Sequence, residues 1–176
     1  MVHASGESGI GNGETVILRC GQVKVPRVRA LLEEYWSSFG FAGDFQGFRD
    51  ELGSLPGRYR PPGGLLLLAT VDGCDAGCIG LRRLSAVEAE AKRLYVRRQY
   101  RGRGIGVALL ERLVASARAM GYRRLLADTM PEMETALGLY LRHGFVQRGP
   151  YGGSPTPRAI YLELELDGSG GAERLR

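Results

Sequence analysis

Three glycines at alternate positions, just before a strongly amphipathic segment, constrain this chain more than any other feature. Gly102, Gly104 and Gly106 lie in the stretch RQYRGRGIGVALLERLV. Ordered glycine costs more conformational entropy than any other residue, and apart from proline it is the least favourable residue in a helix. A glycine-rich turn does, however, bring backbone N–H groups close to an anion at the positive end of a helix dipole. With Arg101 and Arg103 as further donors, the stretch predicts a phosphate or diphosphate site.

Two familiar phosphate-binding loops do not fit this spacing. A Walker A loop needs glycine, four residues and then Gly-Lys-Ser/Thr, a string that the chain lacks. A dinucleotide fingerprint would need a third small residue at Val107 when counted from Gly102, or at Leu109 when counted from Gly104. A plain tight turn without a ligand is the alternative, although such turns rarely need three glycines and two arginines.

Periodic patterns along the chain predict a mixed α/β fold. Apolar residues of the segment after the glycines recur on one stripe of a helix, and Asp72-Gly73 predicts the turn of a β-hairpin. The predicted order is strand Thr15–Cys20, helices Lys24–Ser38 and Phe45–Leu52, strands Gly64–Val71, Gly77–Leu84 and Ala89–Val96, helix Ile105–Met120, strand Arg124–Asp128, helix Met133–Arg142, and strands Phe145–Arg148 and Ile160–Leu166. This order indicates one mixed sheet with helices on its faces.

Length and composition predict a single soluble domain. Of 176 residues, 44% are hydrophobic and 24% charged, as in ordinary globular proteins. We expect the domain to span residues 14–166, between disordered segments 1–13 and 167–176. No apolar run approaches the roughly 20 residues of a membrane span. The N-terminus lacks a basic region followed by an apolar one, which favours the cytoplasm.

Charge and cysteine content exclude further classes of function. The net charge of +5 is spread along the chain, apart from a basic cluster over residues 92–103. A cluster so local suits a compact polyanion better than a nucleic-acid track, so we expect no nucleic-acid partner. Three cysteines without repeated CxxC spacing, and only two histidines, predict no metal site.

The glycine turn and two flanking segments resemble the GNAT superfamily of N-acetyltransferases. RGRGIG, residues 101–106, is similar to the superfamily's Arg/Gln-x-x-Gly-x-Gly/Ala signature. KRLYV (92–96) looks like the strand before that signature, and LYLRHGF (139–145) like the Leu-Tyr-x-x-x-Gly-Phe end of a later helix. The resemblance covers about residues 15–166, and the terminal stretches resemble an uncharacterised bacterial subgroup of the small-molecule type. Met133 stands where many members have asparagine, so we expect one side-chain contact to the cofactor to be absent.

The resemblance implies a fold and a cofactor. The fold is a mostly antiparallel sheet of six to seven strands, splayed between two central parallel strands, with helices on both faces. The cofactor is acetyl-CoA. The backbone of Leu94, Tyr95 and Val96 would pair with its pantetheine arm. The turn that would hold its diphosphate consists of Arg101, Gly102, Arg103, Gly104, Ile105, Gly106 and Val107.

The implied reaction is attack of a neutral amine on a thioester, which needs a proton acceptor, an oxyanion donor and a proton donor. The resemblance assigns Tyr140 as the proton donor to the departing thiolate and the Val96 N–H as the oxyanion donor. Glu90 is our candidate base, because a period of two places it on the strand face of Leu94 and Val96. The same period places Glu88 on that face, so Glu88 is an alternative base. A relay of the proton through water is a further alternative. A core role for Tyr140, and pairing of both glutamates with nearby cations, are the structural alternatives.

The expected acceptor is a primary amine of a small molecule. Aromatic residues that could line its site are Tyr35, Trp36, Phe45, Phe48 and Tyr151. A protein or peptide N-acetyltransferase would favour an open acidic groove, for which the sequence has no obvious acidic stretch. A non-catalytic sensor of acyl-CoA is the third hypothesis. We expect no membrane partner and a monomer or homodimer; the sequence does not identify the acceptor.

Overall fold

The computed structural model describes residues 13–38, 47–152 and 156–166. In these residues the chain forms seven strands and four α-helices: β1 Thr15–Arg19, α1 Val25–Ser38, α2 Phe48–Ser54, β2 Leu65–Val71, β3 Cys74–Arg83, β4 Glu88–Val96, α3 Ile105–Ala119, β5 Arg124–Thr129, α4 Glu134–Arg142, β6 Val146–Arg148 and β7 Ile160–Glu165. Short 3-10 helices lie at Gln22–Lys24, Gly57–Tyr59 and Arg98–Tyr100. The segments predicted to be disordered, 1–13 and 167–176, lie outside the described residues except for Gly13.

The predicted order of elements is confirmed, although several ends differ. Helix α2 covers Phe48–Ser54 and not the predicted Phe45–Leu52, and Phe45 lies outside the described residues. The helix follows Gly47, whose φ of 64° is a left-handed conformation that suits glycine. It stops before Pro56, because the residue before a proline is disfavoured in the helical conformation and Leu55 has a ψ of 137°.

The sheet has the predicted mixed and mostly antiparallel topology, with strand order β1-β2-β3-β4-β5-β7-β6. Strands β4 and β5 form its parallel pair. Their pairing runs from Glu88 opposite Arg124 to Ala91 opposite Ala127, and both strands continue beyond that point without pairing to each other. A gap therefore opens in the middle of the sheet, as expected for the predicted splay.

Helices cover both faces of the sheet. Helix α3 packs on one face with Leu109 and Leu113 fully buried, together with part of α4. On the other face, Val28 and Leu32 of α1 and Phe48 of α2 form a second apolar cluster. Within the described ranges, every helix is too short or too polar to cross a bilayer.

A β-bulge in β4 changes which residues face each side. Cys78 of β3 pairs with Tyr95 and Gly80 pairs with Lys92, so the single residue between them on β3 opposes two residues of β4. Arg93 at the bulge has a φ of 60°. The alternation of faces breaks there, because an extra residue shifts the period.

The prediction that Glu90 lies on the same face of β4 as Leu94 and Val96 is therefore wrong. Leu94 and Val96 pack against the α3 cluster, as do Ala89 and Ala91 before the bulge. Glu90 lies on the opposite face of the sheet. The backbone of β4 past the bulge and the carboxylate of Glu90 thus reach the central gap from different sides.

Candidate active site

The end of β4 directs backbone polar groups into the gap between β4 and β5. Val96 is opposite Gly77, and the N–H of Arg97 donates to the Ala76 carbonyl at 2.8 Å. This pattern makes Val96 and Gly77 a non-hydrogen-bonded pair, in which the N–H and C=O of each residue point away from the partner strand. The Val96 N–H is therefore directed away from β3, toward the gap. Its carbonyl accepts a hydrogen bond from Arg101 Nε at 2.9 Å.

The glycine turn presents an uncovered helix N-terminus next to this gap. Gly102 and Gly104 have φ angles of 76° and 75°, which explains the glycines at both positions. A Cβ at either would have no neighbour within 4 Å, so the space above the turn is open. Gly104 is the N-cap of α3, with no side-chain cap and no acidic residue in the first turn. The first N–H groups and the dipole of α3 can thus receive an anion.

The other residues predicted around the turn take different positions. Gly106 lies against α4, where an added Cβ would stand 3.6 Å from Leu139 Cδ2. Ile105 is buried, so only its backbone can contribute to a ligand site. Arg103 is exposed, and its guanidinium lies 5.7 Å from the centre of the Tyr100 ring. Val107 is exposed on the first turn of α3.

Tyr140 of α4 lies in the core beside the gap. It is 4% exposed and packs edge-on against Phe145, with ring centres 5.0 Å apart. Burial raises the pKa of its hydroxyl, and the charges of Asp128 and Glu90 raise it further. The hydroxyl stays protonated at neutral pH and can donate a proton.

A cavity of about 510 Å³ lies on the α1–α2 face of the sheet and reaches across β3, β4, β5 and β7. Tyr151, Gly152 and Thr156, from the chain between β6 and β7, form part of its wall. The full lining in the described residues is Gly47, Arg58, Arg82, Leu84, Glu90, Lys92, Arg93, Asp128, Tyr151, Gly152, Thr156 and Tyr161. Six of these twelve residues have charged side chains.

Glu90 is at the centre of the cavity wall and is held by three neighbours. Only 2% of its side chain is exposed. Arg82 Nε donates a short hydrogen bond to one carboxylate oxygen, and the Tyr151 hydroxyl donates to the other at 2.8 Å. Lys92 Nζ lies 3.5 Å from Glu90 Oε1 and donates to Asp128 Oδ1 at 2.5 Å. Burial and the Glu90 charge raise the pKa of Tyr151, so this phenol remains a donor.

The structure separates the residues that the sequence grouped as catalytic or as acceptor-binding. Glu90 lines the cavity, whereas Glu88 pairs with Arg124 at 2.8 Å and is absent from the lining. Tyr151 lines the cavity as predicted. Most of the other predicted wall residues have another role: Phe48 is buried in the α1–α2 core, and Tyr35 and Trp36 pack against that core.

Three charged residues of the cavity, Arg82, Asp128 and Arg58, were not considered in the sequence analysis. Arg82 lies directly opposite Glu90 across the β3–β4 hairpin, a register that the hairpin turn could have indicated. Asp128 is a carboxylate at the end of the buried strand LLADT, which is an unusual place for a charge. Arg58 comes from the 3-10 helix before β2, and no sequence signal connects it to the cavity.

Comparisons with known proteins agree on one family. Residues 28–145 match the family model described as the acetyltransferase (GNAT) family. An uncharacterised N-acetyltransferase of Schizosaccharomyces pombe is 33% identical over 150 residues, which cover 82% of this chain and 92% of the relative. An IAA acetyltransferase of Azospirillum brasilense is 39% identical over 98 residues, covering 55% of this chain and 62% of the relative.

A solved structure shares the fold. The chain superposes on an acetyltransferase of Salmonella typhimurium, solved with acetyl-CoA as its cofactor, with a TM-score of 0.67. The sequence identity is 18%, and the alignment covers 92% of this chain and 99% of that one. At this identity, the likeness concerns the fold.

Proposed function

This chain belongs to the acetyltransferase (GNAT) family, and we propose that its acetyl transfer from acetyl-CoA has a primary amine of a small molecule as acceptor. The observation that carries this proposal is the charged cavity beside the gap between β4 and β5. Its size is that of a site for a small ligand, and residues of the β6–β7 connection form part of its wall. The Azospirillum relative, which is named for a small molecule, supports a small molecule as the acceptor.

The residues at the gap fit acetyl-CoA. The N-terminus of α3, with Gly102 and Gly104 before it, would receive the diphosphate through backbone N–H groups, and Arg101 and Arg103 would add charge. The backbone of Leu94, Tyr95 and Val96 would lie along the pantetheine arm. Acetyl-CoA supplies the acetyl group as a thioester, whose carbonyl carbon is open to attack by a neutral amine.

Three groups of the chain would assist the transfer. The Val96 N–H, directed toward the gap, would donate to the carbonyl oxygen as negative charge develops on it. Tyr140, which keeps its proton at neutral pH, would protonate the departing sulfur. Glu90 is the proposed proton acceptor for the amine. A carboxylate offers about four acceptor sites. Arg82 and Tyr151 donate hydrogen bonds and Lys92 Nζ lies 3.5 Å from Oε1, which leaves one of the four sites.

Substitution of Tyr140 by phenylalanine tests this assignment. With acetyl-CoA and a panel of amino acids, polyamines, aminoglycosides and short peptides, wild type should release thiol with at least one small amine. Tyr140→Phe should lower kcat by about 100-fold or more, because loss of a positioned general acid typically costs 10²–10⁴. The affinity for coenzyme A should change little.

Tyr122→Phe is the matched control. The Tyr122 hydroxyl donates to the Gly63 carbonyl at 2.6 Å, and Tyr122 does not line the cavity. Its kcat should remain that of wild type. If wild type binds coenzyme A but acetylates no amine, the acyl-CoA sensor becomes the better reading. Faster transfer to peptides than to every small amine would overturn the proposed acceptor class.

A further inference from the structure

The charges on the cavity wall do not balance. Among the described residues, the lining contains the cations Arg58, Arg82, Lys92 and Arg93 and the carboxylates Glu90 and Asp128. Three of the cations have acidic partners: Arg82 pairs with Glu90, Lys92 with Asp128, and Arg93 with Glu51. Arg58 forms no ion pair with any described residue. Within the described part of the chain, it is therefore the lining cation that has no carboxylate partner.

Arg58 lies on a well-anchored part of the chain. The 3-10 helix Gly57–Tyr59 carries it, and the neighbouring Tyr59 is 2% exposed and donates to Glu51 Oε1 at 2.7 Å. The Arg58 carbonyl is so close to Gly64 that a Cβ there would stand 2.6 Å from it. The backbone at Arg58 is thus well packed, while its side chain is exposed and lines the cavity, so the guanidinium is accessible to an anion.

The unbalanced cation and the β5 carboxylate lie at different ends of the cavity. The backbone of Arg58 lies beside β3, because a Cβ added at Gly64 would stand 2.6 Å from the Arg58 carbonyl oxygen and 2.8 Å from that of Leu81, whereas Asp128 belongs to β5, beside the gap. In the sheet, β4 separates these two strands. A ligand that spans β4 can therefore meet excess positive charge on one side and a carboxylate near the gap on the other.

An acceptor with both an ammonium group and an oxyanion matches this arrangement. Its ammonium would lie near Asp128 and Glu90 before it loses a proton, while a carboxylate could accept paired hydrogen bonds from a guanidinium. A plain amine would leave the charge of Arg58 uncompensated. A polyamine would bring further positive charge to a cavity that already has an excess of it.

We propose that the acceptor is a primary amine that also carries a carboxylate or comparable oxyanion, and that Arg58 binds that oxyanion. The inference rests on the acetyl transfer proposed above and narrows its acceptor to one chemical class. It makes Arg58 a specificity-determining residue on the side of the cavity away from the gap.

Matched pairs of amines test the proposal. Thiol release from acetyl-CoA is measured with amino acids and with the amines obtained by removing only their carboxylate, such as phenylalanine against phenethylamine. In wild type, kcat/KM for the best amino acid should exceed that of its decarboxylated partner by about 10- to 100-fold, the range expected for a hydrogen bond to a charged group.

Arg58→Gln should remove most of this preference by raising the KM of the amino acid, with the KM of the decarboxylated amine unchanged. Arg58→Lys keeps the charge without the paired donors and should restore part of the preference. Arg60→Gln is the matched control, since Arg60 is exposed and does not line the cavity. It should behave as wild type.

Two results would overturn the inference and leave acetyl transfer standing. One is equal kcat/KM for both members of every pair in wild type. The other is a loss in Arg58→Gln that is the same for both members. Absence of thiol release with every amine, despite binding of coenzyme A, would instead overturn the proposed function, and the acceptor class with it.

Discussion

At the scale of single residues, the burial of Glu90 is the most demanding feature of the site. A carboxylate that is almost fully removed from water is strongly destabilising unless donors surround it. Arg82, Lys92 and Tyr151 supply them, from β3, β4 and the β6–β7 connection. This one side chain therefore connects three parts of the cavity wall.

We expect Glu90→Gln to lower the free energy of unfolding by about 3 kcal/mol, because it leaves the half-buried Arg82 without its counter-charge. Urea denaturation at pH 7 measures the change. Glu163→Gln removes a partner of Arg148 from an ion pair of 2.8 Å with about a quarter of each side chain exposed, and should cost less than about 1 kcal/mol. Equal losses in the two variants would contradict a structural role for the Glu90 network.

Sequence reasoning could reach some of these residues and not others. Tyr140 and the glycine turn belong to continuous segments whose local pattern is specific. Glu90 could be named as a candidate. The sequence could not show, however, that the residues of β4 beyond Arg93 have changed faces relative to Glu90. A bulge depends on the pairing of two strands, and a period of two read along one strand cannot reveal it. Arg58 joins the cavity only through tertiary packing.

At the scale of elements, a buried cluster fastens α2 to the bulge of β4. Arg93 donates to both carboxylate oxygens of Glu51, at 2.9 and 2.8 Å, and its guanidinium lies 4.9 Å from the centre of the Phe48 ring. Burial opposes the charge of Glu51, but the bonds from Arg93 and Tyr59 outweigh it and lower the pKa of this carboxyl below its usual value. Arg93 therefore combines a positive φ at the bulge with a buried ion pair to α2.

This pKa predicts a dependence of stability on pH. A carboxyl with a lower pKa in the folded than in the unfolded chain contributes stability above its unfolded value and loses it as pH falls through the folded value. Glu51→Gln should therefore be less stable than wild type at pH 7, and the difference should shrink as pH falls from about 5 to 3.

Urea denaturation at several pH values provides the measurement. Glu33→Gln is the control, since Glu33 is exposed on α1 and forms no ion pair with the described residues. Its difference from wild type should be small at each pH. A difference for Glu51→Gln that stays constant down to pH 3 would contradict the proposed cluster.

At the scale of the whole molecule, the order of strands and helices could be predicted because local periodicity and turn residues determine it. The central gap also follows, once β4 and β5 are known to be parallel and to diverge after Ala91 and Ala127. The set of residues that line the cavity could not be predicted from the sequence. Its residues come from five separate regions of the chain, and only the folded sheet brings them together.

The central claim is that the N-terminus of α3 and the gap beside it bind the diphosphate and pantetheine of acetyl-CoA. Titration calorimetry of the full chain with coenzyme A, and with pantetheine, which lacks the diphosphate and the 3′-phosphoadenosine attached to it, tests it most directly. Coenzyme A should bind at least about 10-fold more tightly than pantetheine, because charged hydrogen bonds contribute about 1.5–3 kcal/mol each. Arg103→Ala should weaken the binding of coenzyme A and leave that of pantetheine unchanged. Absence of heat with coenzyme A, or equal affinity for the two ligands, would contradict the claim.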